Sequence, residues 1–470
     1  MPHHEDHTRV VFLSLLLAGM AFALSQTVVS PALPEIQREF GATPTSAAWI
    51  LTGYLLAAAV ATPIVGKLGD LFGRGRVLTA VLVAFAVGSA VCALAPSLGV
   101  LISGRVIQGI GGGIFPLAFG IIRETFPAER VATAIGGISA TFGIGGGVGL
   151  VIAGLIVEAL DASWLFWLGL MALPAAFAIH RYVPQEELRK DSRVDWLGAA
   201  LLSVALASLL YGLSRANAWG WGDERTLGLI LGGLAVAAFW VWVETKVHQP
   251  LVDMRVLRRR PVFMTNVTAV LIGFSMFASF LLIPQLAQTP ESTGYGFGAS
   301  VTGAGLLMLP STLIMLVAGP WAGRLAIRAN SRLPLVLGAG IGAVAFGFYA
   351  VAHTEVWEIA VGGVLLGIGI GFSFSAMANL VVESVPREEV GVATGINTIM
   401  RSLGGALGAQ LVATLLTTQT IGDTPIPAES AFTEAFVVAA VAAGLAMLAA
   451  LMIPVIRPPR AQPVTAPAPA

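Results

Sequence analysis

Chemically distinctive side chains are concentrated in one short stretch of this sequence. Residues 66 to 76 read G-K-L-G-D-L-F-G-R-G-R, which places one acid among three bases between two long apolar runs. Hydrocarbon offers no hydrogen-bond partner to the backbone, which must satisfy its own polar groups, so apolar runs of this length predict membrane-spanning helices. The stretch between them is then a charged turn at a membrane face, and glycine permits it. Its key members are Gly66, Asp70, Gly73, Arg74 and Arg76.

A second constellation lies inside an apolar run, where Gln108 follows Arg105 by three residues. At this spacing the two side chains share one face of a helix. A guanidinium inside a membrane helix costs about 2.5–3.5 kcal/mol, so it is rarely idle. We expect this face to line an internal cavity. The alternative is that Arg105 snorkels to the nearby membrane interface.

The composition is that of a polytopic membrane protein. Of the 470 residues, 56% are hydrophobic and 11% are charged, whereas a soluble domain carries about 25% charged residues. The single cysteine, Cys92, allows neither a disulfide framework nor a metal cluster. The sequence contains no G-x-x-x-x-G-K-[ST] phosphate loop, and no cofactor or nucleic-acid partner is expected.

Apolar runs predict an all-α fold with fourteen spans in the lipid bilayer. They lie near 10–32, 46–66, 77–95, 98–122, 132–158, 163–183, 195–214, 226–245, 262–288, 300–323, 333–352, 357–383, 391–418 and 431–456.

Basic residues are segregated to alternate loops. Loops on the side of the N-terminus hold 21 of the 26 Lys and Arg residues, and the opposite loops hold three. By the positive-inside rule, both termini are predicted to be cytoplasmic in an inner or plasma membrane.

An internal repeat relates the two ends of the chain. A shift of 257 residues lays Gly66 on Gly323 and Asp70 on Ile327. A shift of 259 lays the E-x-x-P-x-E-x-V pattern at 124–131 on the same pattern at 383–390. The repeat predicts two related six-helix units, of which the second has lost the acid.

The spacing G-x-L-x-D-x-x-G-R-x-R in the 66–76 stretch resembles the signature loop between helices 2 and 3 of major facilitator superfamily transporters. The spans at 195–214 and 226–245 have no repeat partner, and they resemble the insertion of the fourteen-spanner drug:proton antiporter branch. The resemblance implies a six-helix bundle at 1–183, two inserted helices within 184–260, a second bundle at 261–456 and a solvated tail at 457–470.

The same resemblance implies roles for the charged residues. In relatives, the acid of this loop contacts the opposite half near the start of helix 11 and steadies the outward-open state. That would place Asp70 near residues 390–393, at a helix N-terminus. The alternative is a turn that only sets topology. The motif R-x-x-Q-G that begins at Arg105 resembles the family's helix 4 motif, which is implicated in proton transfer.

Two departures from the family pattern bear on proton coupling. Ser25 stands where relatives carry an acid in the first helix, so Glu124 and Glu158 become the candidate proton carriers; each fits a solvated helix-end charge equally well. In the fifth span, Leu150 replaces a family proline. The small residues there, which include Gly145, Gly149 and Gly154, are interpreted as helix-packing positions.

Polar residues within spans are the candidates for a substrate cavity: Gln26, Tyr54, Asn266, Gln285, Asn397 and Arg401. Arg401 could pair with a carboxylate of a substrate or of the opposite half. Hydrogen bonding of its guanidinium to helix carbonyls is an equally good alternative. Met276 and Phe277 are interpreted as facing lipid or the core, and the alternative is that they form part of an adaptable, promiscuous pocket.

These features predict a transporter, not an enzyme. The hypothesis is a monomeric exporter of small amphipathic compounds, such as drugs or antibiotics, driven by protons through alternating access. One alternative is a related transporter that serves a single metabolite or is not proton-coupled. A membrane receptor or enzyme is disfavoured, because convergent His, Cys or carboxylate groups at membrane depth are missing.

Overall fold

The computed structural model describes residues 2–42, 44–47, 49–183, 195–422, 424 and 426–455, apart from a few side chains. Thirteen of its helices are long and apolar enough to cross a membrane, and Ala128–Ala159 is a further long helix. We number these helices α1 to α14 in chain order: α1 Pro2–Thr27, α2 Trp49–Phe72, α3 Arg74–Ala93, α4 Leu98–Thr125, α5 Ala128–Ala159, α6 Trp164–Tyr182, α7 Trp196–Trp219, α8 Glu224–Glu244, α9 Arg260–Gln288, α10 Val301–Arg328, α11 Arg332–Val351, α12 Val356–Ser384, α13 Val390–Thr418 and α14 Glu429–Leu451.

The helices confirm the predicted all-α membrane fold, with two corrections at their ends. The stretch at 66–76 is not a loop, because α2 continues to Phe72 and α3 begins at Arg74. The turn is Gly73 alone, whose φ of 90° favours glycine. Across this turn, Asp70 of α2 and Arg74 of α3 form a buried ion pair. The first span ends at Thr27, and a short helix Val29–Glu39 follows it.

Buried apolar side chains form two large clusters along the chain. One cluster draws mainly on residues 11–183, and the other draws on residues 269–453. We call the end of the bundle that carries Gly73 and the α4–α5 turn the basic end, because most loop Lys and Arg residues belong to it. The other end is called the opposite end.

Helices α5 and α10 form a seam that joins the two clusters from one end to the other. Towards the basic end of the seam, Gly136 and Gly319 approach so closely that a Cβ on either would meet the carbonyl oxygen of its partner. Gly154 lies against Thr302 towards the opposite end. Small residues allow this close approach of two helices.

The sequence repeat is visible in packing at the basic end. A Cβ added to Gly66 of α2 would lie 2.5 Å from the carbonyl oxygen of Gly391 in α13. Its repeat counterpart Gly323, in α10, meets the carbonyl oxygen of Ala132 in α5 in the same way. Ala132 and Gly391 are themselves related by the 259-residue shift. Each half therefore makes the same contact with the other.

The inserted helix α7 packs between α2 and α13 at the opposite end. The Trp49 and Tyr211 rings stack with centroids 5.2 Å apart. Asn217 donates its Nδ2 hydrogen to the carbonyl of Gln410 at 3.3 Å, and Trp221 Nε1 donates to Thr414 Oγ1 at 3.0 Å. The insertion thus contacts both clusters instead of lying apart from them.

Candidate functional site

The acid of the charged stretch lies at the interface between the two clusters. Asp70 is buried in α2 and reaches the first turn of α13 with both carboxylate oxygens. Oδ1 accepts the N–H of Gly391 at 3.3 Å, and Oδ2 accepts the N–H of Val392 at 3.2 Å. The free N–H groups and partial positive charge of a helix N-terminus favour a carboxylate at this position. The contact expected between Asp70 and residues 390–393 is therefore present.

Arg74 extends this contact into a network. Its Nε and Nη2 donate to Asp70 Oδ1 at 3.1 and 2.6 Å. Nη2 also donates to the carbonyl of Arg387, and Nη1 is ion-paired with Glu124 of α4. Arg123 Nη1 donates to the carbonyl oxygen at position 385, at 3.0 Å. A buried ion pair is stable only when further hydrogen bonds satisfy it, and here the backbone of the other half supplies them.

We call this network, made of Asp70, Arg74, Arg123 and Glu124 with residues 385–392, the gate. It closes the basic end. Arg76, the other predicted arginine of the stretch, is exposed beside it. Lys67 lies on the flank, where Nζ donates to the carbonyl of Pro250 at 2.9 Å.

Arg105 is fully buried in α4, so the snorkelling alternative is wrong. Its Nη1 donates to the carbonyl of Ser25 at 3.0 Å and to Gln108 Oε1 at 2.7 Å, and Nε donates to the carbonyl of Ile50 at 3.2 Å. The guanidinium carbon lies 4.0 Å from the centroid of the Tyr54 ring. These partners are all neutral. Arg105 is thus a buried cation that ties α1, α2 and α4 together.

A cavity of about 200 Å³ lies between the two clusters, on the side of the gate that faces the opposite end. Its walls come from α1, α2, α4, α7, α9 and α13, and they are mainly apolar and aromatic. The polar part of the lining includes Gln26, Ser214, Thr398, Arg401, Ser402 and Gln410.

Arg401 is the one charged side chain in this lining, within the part of the chain that the structure describes. It is 8% exposed, and its guanidinium carbon lies 4.3 Å from the centroid of the Phe374 ring. Gln410 Oε1 is buried and accepts no hydrogen bond from the described residues. The cavity therefore offers a charged donor and an unused acceptor on an apolar background.

The structure divides the predicted cavity residues into two groups. Gln26 and Arg401 line the cavity, and Asn397 lines its narrow continuation towards the gate. The other three do not line it. Tyr54 is covered by Arg105, Asn266 accepts a hydrogen bond from Asn397 at 3.0 Å, and Gln285 is exposed elsewhere on α9.

The cavity has further lining residues. Met276 and Phe277 line it, which fits the alternative of an adaptable pocket, and Met276 also belongs to the buried core. Leu210 and Ser214 bring α7 into the wall. Only the position of α7 between α2 and α13 reveals this, and an apolar run carries no signal for it.

The predicted packing glycines lie on two faces of α5. A Cβ on Gly145 would meet the carbonyl of Ala23, and one on Gly149 would meet Thr27 Oγ1. Gly154 lies on the α10 side. The side chain of Glu158 is outside the described part of the structure, and no His, Cys, Asp or Glu group within that part could hold a metal ion.

Two helical clusters, a seam, a gate at one end and a central cavity define a multi-pass membrane transporter. The family model described as Major Facilitator Superfamily matches residues 15–409, and a second match covers residues 268–469. The chain belongs to this family, whose members are transporters and not enzymes.

Similar curated proteins include an export protein and a multidrug resistance protein. The chain is 32% identical to the tetracenomycin C resistance and export protein of Streptomyces glaucescens, over 84% of this chain and 73% of that protein. It is 29% identical to multidrug resistance protein 3 of Bacillus subtilis (strain 168), over 85% and 78%. It is 31% identical to an uncharacterized MFS-type transporter of Mycobacterium tuberculosis, and the match spans only 57% of that longer protein.

Solved structures share the fold at low identity. The human organic anion transporter MFSD10 (TETRAN) superposes with a TM-score of 0.66 at 17% identity, over 96% of this chain and all of that one. The proton:xylose symporter XylE superposes with a TM-score of 0.61 at 17% identity, over 96% and 97%.

Proposed function

We propose that this protein exports small amphipathic compounds, such as drugs or antibiotics, across the inner or plasma membrane. The observation that carries the proposal is the mainly apolar cavity, which lies between the two clusters and is closed at the basic end by the gate. The name of the resistance and export protein from Streptomyces glaucescens supports export as the direction, and the name of the multidrug resistance protein from Bacillus subtilis supports drugs as the compounds.

Transport would proceed by alternating access, with the halves 1–183 and 261–456 rocking about the α5–α10 seam. Opening the basic end requires Asp70 to leave the N–H groups of Gly391 and Val392. The positive-inside bias makes the basic end and both termini cytoplasmic. On that orientation, the present arrangement is closed towards the cytoplasm.

The proton gradient is the proposed energy source. Asp70 and Glu124 both hold Arg74, so protonation of either carboxylate would weaken the gate from the cytoplasmic side. Arg105 and Gln108 would keep the first half rigid around a fixed buried charge. The working unit is proposed to be a monomer.

One observation favours a second candidate, a transporter that is not coupled to protons. No carboxylate lines the cavity among the described residues, and Ser25 stands at the first-helix position of the family's acid. Efflux from preloaded cells, measured with and without a protonophore, separates the two. Loss of efflux on collapse of the gradient supports antiport, and unchanged efflux supports a facilitator.

The test of export is a susceptibility panel of chemically varied toxins, in matched cells with and without this gene. Protection against several unrelated compounds supports a multidrug exporter, and protection against one compound supports a dedicated exporter. Substitution of the gate acid, Asp70→Asn, should remove any protection, and Asp161→Asn, at an exposed acid of the opposite end, is its matched control. The proposal is contradicted if the protein is abundant and inserted in the membrane but protects the cells against none of the compounds.

A further inference from the structure

We propose that the cavity selects amphipathic compounds that carry a negative charge, and that Arg401 binds the anionic group. The inference rests on the proposed export function and names its substrate class. Its physical basis is the sign of the fixed charge around the cavity. Specificity follows from charges that attract one ligand and repel another.

Charge in the lining has a single sign among the described residues. Arg401 contributes a guanidinium, and no Asp or Glu faces the cavity. The face of the Phe374 ring, 4.3 Å from the guanidinium carbon, holds the cation in place without neutralising it. A guanidinium also presents a planar fork of donors that suits a carboxylate, sulfonate or phosphate.

A second buried cation reinforces this field. Arg105 lies against the face of the Tyr54 ring, which contacts Phe22 of the cavity wall, and its hydrogen-bond partners are neutral. Described acidic residues of α1 to α14 all lie within two turns of a helix end. Low-dielectric walls focus such a field into a cleft. The middle of the molecule is therefore positive.

The rest of the lining fits the apolar body of such a compound. Phe22, Phe115 and Phe277 supply aromatic surface. Thr398 and Ser402 line the cavity on the same helix as Arg401, and each hydroxyl donates its hydrogen to a backbone carbonyl one turn earlier. A lipophilic cation would meet a guanidinium with no carboxylate to offset the repulsion.

The test uses one fluorophore in three charge states: dansylglycine (anionic), dansylglycinamide (neutral) and dansylethylenediamine (cationic). Binding to purified wild-type protein and efflux from preloaded cells are both measured. We expect the anion to bind and to be exported at least about tenfold better than the cation. Because this comparison needs no variant, it does not depend on how substitutions fold.

Substitutions then assign the effect to one residue. Arg401→Gln is expected to lower the anion-to-neutral transport ratio about tenfold, and Arg401→Lys is expected to retain most of it. Arg225→Gln, at an exposed arginine of the opposite end, is the matched control and is expected to leave the ratio unchanged.

The outcomes separate this inference from the proposed function. Export of the neutral and cationic compounds without the anion overturns the inference and leaves export intact. The inference is also overturned if correctly inserted Arg401→Gln protein keeps the anion-to-neutral transport ratio of the wild-type protein. Export of none of the three, together with no protection in the susceptibility panel, overturns both.

Discussion

Asp70 in α2 and Val392 in α13 are 322 residues apart in the chain, and a hydrogen bond of 3.2 Å joins the Asp70 carboxylate to the Val392 N–H. The sequence repeat offers an equivalent position in the second half, but Ile327 occupies it and is 42% exposed. The backbone contact at this end is thus made twice, and the ionic contact is made once. This asymmetry makes Asp70 the residue on which the gate depends.

Replacing Asp70 with asparagine is expected to abolish transport without loss of membrane insertion. Both carboxylate oxygens accept hydrogen bonds, so an amide must point its NH₂ group at a donor whichever way it is turned. Each charge-assisted bond that is lost is worth about 1.5–3 kcal/mol. Efflux rates at matched protein levels test this, with Asp161→Asn as the control. Normal efflux by the Asp70→Asn protein would remove the gating role.

A bulky residue at the seam is expected to disrupt packing and transport together. In Gly136→Val, the new side chain meets the carbonyl of Gly319, at a cost of about 1–3 kcal/mol or more. Gly347→Val is the matched control, because its Cβ would enter open space on the membrane helix α11. Thermal unfolding in detergent should show a lower midpoint for Gly136→Val alone. Equal midpoints for the two variants would contradict the close approach of α5 and α10.

An acid at position 25 is expected to depend on Arg105. Ser25 is 3% exposed, and its carbonyl accepts a hydrogen bond from Arg105. Ser25→Asp should therefore fold, because the guanidinium compensates the new charge. The double variant Ser25→Asp/Arg105→Gln leaves that charge buried alone, which costs about 3–5 kcal/mol.

The yield of monodisperse protein measures this dependence. The single variants Ser25→Asp and Arg105→Gln are compared with the double variant, and Ser25→Asn is the uncharged control. The decrease in the double variant should exceed the sum of the decreases in Ser25→Asp and Arg105→Gln. Additive decreases would show that Arg105 does not stabilise an acid at this position.

The charge of the compound should appear in the voltage dependence of export. Moving one elementary charge across the membrane is worth about 2.3 kcal/mol per 100 mV. If dansylglycine leaves as an anion, its export rate should depend more steeply on the membrane potential than the export rate of dansylglycinamide does. The difference between the two slopes should correspond to one elementary charge. Vesicles with valinomycin-set potassium potentials at constant pH measure both slopes. Equal slopes would contradict export of the charged form.

Much of the fold follows from the sequence, because bilayer thickness dictates how long an apolar run must be. The contact of Asp70 with the start of α13 follows from the family resemblance of the motif, because the acid makes this contact in relatives. The end of α2 does not follow. Whether a charged stretch is a loop or a helix depends on pairing partners, and Arg387 and Glu124 are remote from Asp70 in the chain.

The cavity lining is the part that the sequence predicts least well. A polar residue on a membrane helix can face a cavity, a neighbouring helix or a buried cation, and composition does not distinguish these. Tyr54 lies under Arg105, and Asn266 is bonded to Asn397, whereas Ser214 in the inserted helix lines the cavity. Rotation of each helix about its axis decides the outcome, and tertiary packing sets that rotation.

Transport by purified protein in liposomes tests the central claim most directly. Uptake of the dansyl compounds is followed after a pH gradient, acidic inside, has been imposed. We expect the wild-type protein to concentrate at least one of the three compounds above protein-free liposomes, and we expect a protonophore or Asp70→Asn to abolish this accumulation. The account would be contradicted if folded and inserted wild-type protein took up none of the three compounds above the level of protein-free liposomes.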